Sequence, residues 1–175
     1  FKINFIFLLF ILINFIMNKN YCDIVIFGSG LSAKTMALVA RNAGLSFKII
    51  TDKNFANKIN DDTRSLALSV ASKKMLQVLG VNIKAEAVKK MIVFEGGLGD
   101  EKIKSRLTFD KELVDEDIAF IAEHSVIEKS LDKALKLKDD ELVKEEKIKI
   151  QKDKDNTRIT FKNKKSLSCK VVIFT

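Results

Sequence analysis

The chain has 175 residues, 47% of them apolar and 31% charged, enough for one globular core and too few for two large ones. Its net charge of +8 comes from lysines interleaved with acids, as in Lys138-Asp139-Asp140-Glu141. No basic stripe carries interleaved aromatics, which argues against nucleic acid and for a solvated mixed-charge surface. Cys22 and Cys169 lie far apart and His124 is the single histidine, so the expectation is two reduced, buried thiols and no metal site.

Residues 1–17 read FKINFIFLLFILINFIM, an apolar leader shorter than the stretch of about 20 residues that spans a bilayer comfortably. It lacks a small-residue cleavage site. Two readings stand: upstream read-through before a natural start at Met17, or a membrane segment. Everything from residue 18 onward reads as one partial domain.

From Cys22 the order of elements is informative. Ile24 to Phe27 is a continuous apolar run, predicting a parallel strand buried on both faces. Gly28-Ser29-Gly30-Leu31-Ser32-Ala33 follows as a G-x-G-x-x-A turn that opens a helix through about Asn42, closed by Gly44. A second strand, Phe47 to Thr51, ends at Asp52. Gly28 permits the tight turn, Gly30 lets backbone approach a pyrophosphate, and Ala33 keeps the helix close to the sheet. Ser29 and Leu31 belong to the same loop, and the helix N-terminus offers free N–H groups and a partial positive charge to phosphates. Asp52 stands where a dinucleotide-binding unit carries the acid that accepts hydrogen bonds from an adenosine ribose. The competing reading is a tight turn and a strand-end acid with no ligand.

Further on, Val70 to about Leu79 reads as a helix ended by Gly80, with Met75, Leu76 and Leu79 as its apolar side. Strands are expected at Met91 to Glu95, Arg106 to Phe109 and Ile118 to Ala122. Ser125-Val126-Ile127-Glu128 has capping-box form and opens a helix whose Ile127, Leu131, Ala134 and Leu135 make one stripe. Lys136 to Lys147 reads as a solvated helix end. Lys147 to Lys152 and Arg158 to Lys162 form an antiparallel hairpin around Asp153-Lys154-Asp155-Asn156, and Cys169 to Phe174 is another buried strand.

The segments Asp62-Thr63-Arg64, Ala67-Leu68-Ser69 and Leu79-Gly80-Val81, placed after the glycine turn, resemble the hydroxybenzoate-hydroxylase type of flavin-dependent monooxygenase. The likeness is to the aromatic hydroxylases of ubiquinone biosynthesis in particular. It covers Tyr21 to Thr175 and less than half of a family member, which implies an N-terminal portion without the substrate domain. The fold implied is α/β: a Rossmann-like FAD-binding domain with a parallel central sheet and an inserted antiparallel hairpin.

The resemblance further implies FAD as cofactor, NAD(P)H and O2 as co-substrates, and hydroxylation of an aromatic, prenylated ring. No catalytic side chain is assigned, because the cofactor carries the chemistry. Cofactor binding is expected at Gly28, Ser29, Gly30, Leu31, Ala33 and Asp52, with Arg64 beside the FAD. His124 and Ser125 are secondary candidates, since the residues entering that helix approach the flavin in related proteins. The place implied is the cytoplasm, with peripheral contact to the inner membrane or to a ubiquinone-biosynthesis complex. Alternatives are another FAD-dependent oxidoreductase of the same fold, of the geranylgeranyl reductase or halogenase type, and a non-catalytic dinucleotide-binding module.

Overall fold

The structure is a computed structural model that describes residues 20–52, 63–95, 105–114, 116–145 and 148–175. The leader, Met17 and the acids Asp61 and Asp62 lie outside these residues. The chain divides into two compact units: one holds the elements up to Asp52 together with everything from Leu135 onward, and the other holds the residues between, through Ala134.

In the first unit, β1 (Tyr21–Phe27), helix α1 (Leu31–Asn42) and β2 (Phe47–Thr51) form the expected βαβ start. β1 lies between β2 and the strand numbered β11 (Ser166–Phe174), parallel to both. The sheet has six strands in the order β8-β2-β1-β11-β10-β9. In it β8 (Leu142–Lys144) pairs parallel with β2, and the hairpin β9 (Ile148–Lys152) and β10 (Thr157–Phe161) joins antiparallel to β11. A parallel sheet extended by an antiparallel hairpin is the arrangement expected from the sequence, and β8 adds a parallel strand that was not expected.

The residues explain why the sheet sits where it does. Val25 and Ile26 are consecutive and both fully buried, so both faces of β1 are covered, since neighbouring side chains of a strand point to opposite faces. Helix α1 packs on β1 and β2, and its small residues Ala33, Ala37 and Ala40 are all buried. Cys22, Val25, Ile50, Ile159, Leu167 and Cys169 form one buried cluster, with Phe27, Val143, Ile148, Phe161 and Val172 packed against it. Cys22 and Cys169 face each other in register as free thiols. Burial, and then Cys169 beside it, pushes the Cys22 thiol up to about 12, so it stays protonated and unreactive.

Two expectations for this unit need correction. The helix expected from Ser125 stops at Leu135, and the charge-rich run after it is no helix end. Lys136 takes a left-handed turn (φ 42°), and the chain returns to add β8 as an edge strand. Ion pairs tie the run to the first βαβ unit, Arg41 to Glu141 at 2.7 Å and Lys48 to Asp140 at 3.8 Å. The pairing of β8 with β2 decides this, and local composition gives no sign of it. Strand β11, expected to be buried, is buried only at Leu167 and Cys169; Val171 is 49% and Phe174 69% exposed.

In the second unit, β3 (Ser65–Leu68) and β4 (Glu86–Val88) both pair antiparallel with β7 (Ala119–Glu123). The sequence reading missed β3 and β4. Helix α2 (Val70–Val78) is capped by Ser69, whose hydroxyl accepts the Ser72 N–H at 3.0 Å. It ends in a Schellman motif, with Val81 N–H on Leu76 O and Gly80 N–H on Gln77 O, as α1 does at Gly44. Of its expected apolar side only Leu76 is buried; Met75 is 48% exposed. β5 (Lys90–Glu95) and β6 (Ser105–Asp110) form a separate two-stranded ribbon that leads into the single turn α3 (Lys111–Val114).

Helix α4 (His124–Leu135) begins one residue before the expected cap, so Ser125 lies inside its first turn instead of capping it. Its stripe of Ile127, Leu131 and Leu135 is buried as expected. Among the described residues no helix is long and apolar enough to cross a membrane.

Ile159 is fully buried in the cluster under the sheet. Ile159→Ala is expected to cost about 2–5 kcal/mol of unfolding free energy, read as a lower urea midpoint at an unchanged slope.

Candidate functional site

At the C-terminal ends of β1 and β2 lies a cleft of about 450 Å³ lined by residues 27–32 and 50–52, and by Glu145, Ile148 and Thr175. This is the end of a parallel sheet at which α/β folds bind ligands. Gly28 leaves β1 with φ 129°, and its N–H donates to Ile50 O at 3.0 Å. A Cβ on Gly28 would stand 2.9 Å from the Thr175 carbonyl oxygen and would collide with Thr175 Oγ1. Both the backbone angle and the close approach therefore demand glycine here.

Gly30 is different. It caps α1 in an extended conformation (φ −74°, ψ −174°) that any residue adopts, and a Cβ there would meet nothing within 4 Å. That Cβ would project into open space at the head of the helix. No side chain caps α1 and no acid stands in its first turn, so the positive end of the helix is left to an incoming anion. Ala33 is fully buried one turn on, where it lets the helix lie against the sheet.

Five of the seven expected binding residues, Gly28, Ser29, Gly30, Leu31 and Asp52, line this one cleft, and Ala33 is buried in the first turn of α1. The seventh, Arg64, belongs to the second unit, where its carbonyl oxygen accepts the His124 N–H at 2.8 Å. That bond joins the two positions in the second unit that sequence reasoning had singled out separately.

Glu145, Ile148 and Thr175 were missed as lining residues. Each lies far from the glycine turn in sequence and reaches the cleft only through strand pairing, Glu145 by β8 on β2, Thr175 by β11 on β1 and Ile148 by β9 and β10 on β11, which no local pattern announces. Among the described residues no group of three or more His, Cys, Asp or Glu could hold a metal ion.

The two glycines make opposite predictions. Gly28→Ala is expected to destabilise the fold by about 1–3 kcal/mol, seen as a lower melting temperature. Gly30→Val is expected to leave melting nearly unchanged and to abolish nucleotide binding, because its side chain fills the open head of the helix; equilibrium dialysis with FAD checks this.

No family profile and no curated protein matches the chain. Solved structures do. A 2,6-dihydroxypyridine-3-hydroxylase from Arthrobacter nicotinovorans is 14% identical with a TM-score of 0.59, over 86% of this chain and 36% of its own. A p-nitrophenol 4-monooxygenase from Pseudomonas putida is 15% identical with a TM-score of 0.63, over 89% of this chain and 41% of its own. A Klebsiella pneumoniae protein solved in complex with FAD and uric acid is 12% identical with a TM-score of 0.57, over 86% and 38%. The chain thus spans about two fifths of the length of these structures. The likeness is one of fold: a mixed α/β, Rossmann-like arrangement with a parallel-rich sheet, shared with part of each neighbour.

Proposed function

We propose that this chain is the FAD-binding part of a flavin-dependent monooxygenase that hydroxylates an aromatic ring. The observation that carries the proposal is the open cleft at the head of α1, where a strand, a glycine turn, an uncapped helix N-terminus and a strand-end acid converge. Support comes from a fold shared with a hydroxylase, a monooxygenase and a protein solved with FAD.

The residues present fit such a cofactor. The N–H groups at Ser29, Gly30 and Leu31 and the positive end of α1 would hold the pyrophosphate without a cation, a task helix N-termini perform well. Gly30 keeps that space free, and Ala33 seats the helix that supplies the field. Asp52, exposed at the end of β2, would accept hydrogen bonds from the ribose of the adenosine half. Arg64 would hold phosphate or ribose oxygens through its planar fork of donors.

Bound FAD supplies the redox and oxygen chemistry of such an enzyme. The chain's own residues bind and orient it, and none needs to act as nucleophile or base. The finer reading is an enzyme that uses NAD(P)H and O2 on a prenylated ubiquinone precursor, working in the cytoplasm or against the inner membrane. It rests on the residue pattern around Arg64 and Ala67-Leu68-Ser69.

Asp52→Ala is expected to weaken FAD by about 1.5–3 kcal/mol, the range for a hydrogen bond to a charged group, with the fold intact. Titration of FAD fluorescence against wild type and variant measures it. Equal affinities would mean that the ribose is held elsewhere.

A further inference from the structure

The peptide that joins Phe27 to Gly28 is the last of β1 and the first of the glycine turn, and it is held from both sides. Its N–H donates to Ile50 O of β2 at 3.0 Å, and its carbonyl oxygen accepts the Thr175 N–H from the end of β11 at 3.0 Å. The same oxygen accepts a second bond, from the Thr175 hydroxyl at 3.0 Å. The first two bonds continue the ladders of a parallel sheet and need no particular side chain. The third needs Ser or Thr. Thr175 also lines the cleft, and its Oγ1 lies where a Cβ on Gly28 would have to stand.

We infer that Thr175 is a positioning residue: its hydroxyl fixes the plane of the Phe27–Gly28 peptide, from which the N–H groups of Ser29, Gly30 and Leu31 are aimed at the ligand. The inference rests on the dinucleotide reading of the cleft and adds to it a side chain that acts through the backbone. With its hydrogen committed to Phe27 O, the hydroxyl presents only acceptor lone pairs to the cleft, so it has nothing to donate to a phosphate oxygen. Its effect therefore passes through the peptide it holds. Glycine is the softest backbone position in a chain, and a turn that starts at Gly28 with φ 129° takes its direction from whatever grips the peptide before it. In the unliganded protein this bond is open to water and adds little to stability. A dinucleotide that covers the cleft removes that water, and the bond strengthens in the lower dielectric. The hydroxyl thus counts for more in the complex than in the free fold.

The test is titration of FAD fluorescence against the full chain as wild type, Thr175→Ser, Thr175→Val and Thr175→Ala, with melting temperatures measured without ligand. Ser keeps the hydroxyl and loses the methyl group, whereas Val keeps the size and loses the hydroxyl. Thr175→Ser is expected to bind FAD as wild type does. Thr175→Val and Thr175→Ala are expected to bind it about tenfold more weakly, while all three variants melt close to wild type. Undiminished affinity in Thr175→Val or Thr175→Ala, or a loss in Thr175→Ser equal to that in Thr175→Val, would overturn the role of the hydroxyl and leave the dinucleotide reading standing. Affinities that merely follow the melting temperatures would overturn it as well, since they would mark a residue that only stabilises the fold. Failure of wild type to bind FAD is the separate result that overturns the dinucleotide reading itself.

Discussion

Where β1 ends, the chain has to turn within contact distance of the end of β11. The carbonyl and hydroxyl oxygens of Thr175 occupy the space a Cβ would need at Gly28, and the backbone there takes a φ of 129° that L-residues rarely adopt. Hydrogen bonds lock the three strand ends around this point: Gly28 N–H to Ile50 O in β2, and Thr175 N–H and Oγ1 to Phe27 O in β1. Phe27 and Phe174 stack in parallel at 5.0 Å beside them. The direction in which α1 leaves the sheet, and so the position of its N-terminus over the cleft, follows from that crowded turn.

The helix that starts there is held by smallness more than by size. Ala33, Ala37 and Ala40 let its backbone lie near the sheet, where the consecutive buried residues Val25–Ile26 and Ile49–Ile50 show that both faces of β1 and β2 are covered. A larger side chain at any of the three alanines would push the helix out and move its N-terminus away from the strand ends. The two glycines of the turn thus divide the work. Gly28 is required by the protein's own backbone, and Gly30, which nothing in the protein crowds, keeps space for something else.

The fold, shared with solved structures at 12 to 15% identity, makes few demands in this chain. They are a turn that tolerates only glycine, a helix with a small face, and strands apolar on the buried side. The electrostatic character of the cleft has a separate origin. It is set by which side chains arrive at the rim from β8 and β11, strands distant in sequence from the glycine turn.

Local pattern therefore determined the βαβ start and the glycine turn with its helix. It also determined the position of Asp52 at the end of β2, the β9–β10 hairpin and the buried stripe of α4. Each is written in residues close together in sequence: a run of β-branched residues, glycines at fixed spacing, an apolar repeat at helical period. Tertiary structure alone decided the rest. Short strands such as β3, β4 and β8 carry too few residues for a periodic signal, and their strand character comes from a partner's hydrogen bonds. The exposure of Met75 and of the outer half of β11 depends on what covers them, which an apolar residue does not encode. Glu145 belongs to a charge-rich run with no signature of its own; it becomes a cleft residue because β8 pairs with β2 in the register that sets it beside Asp52.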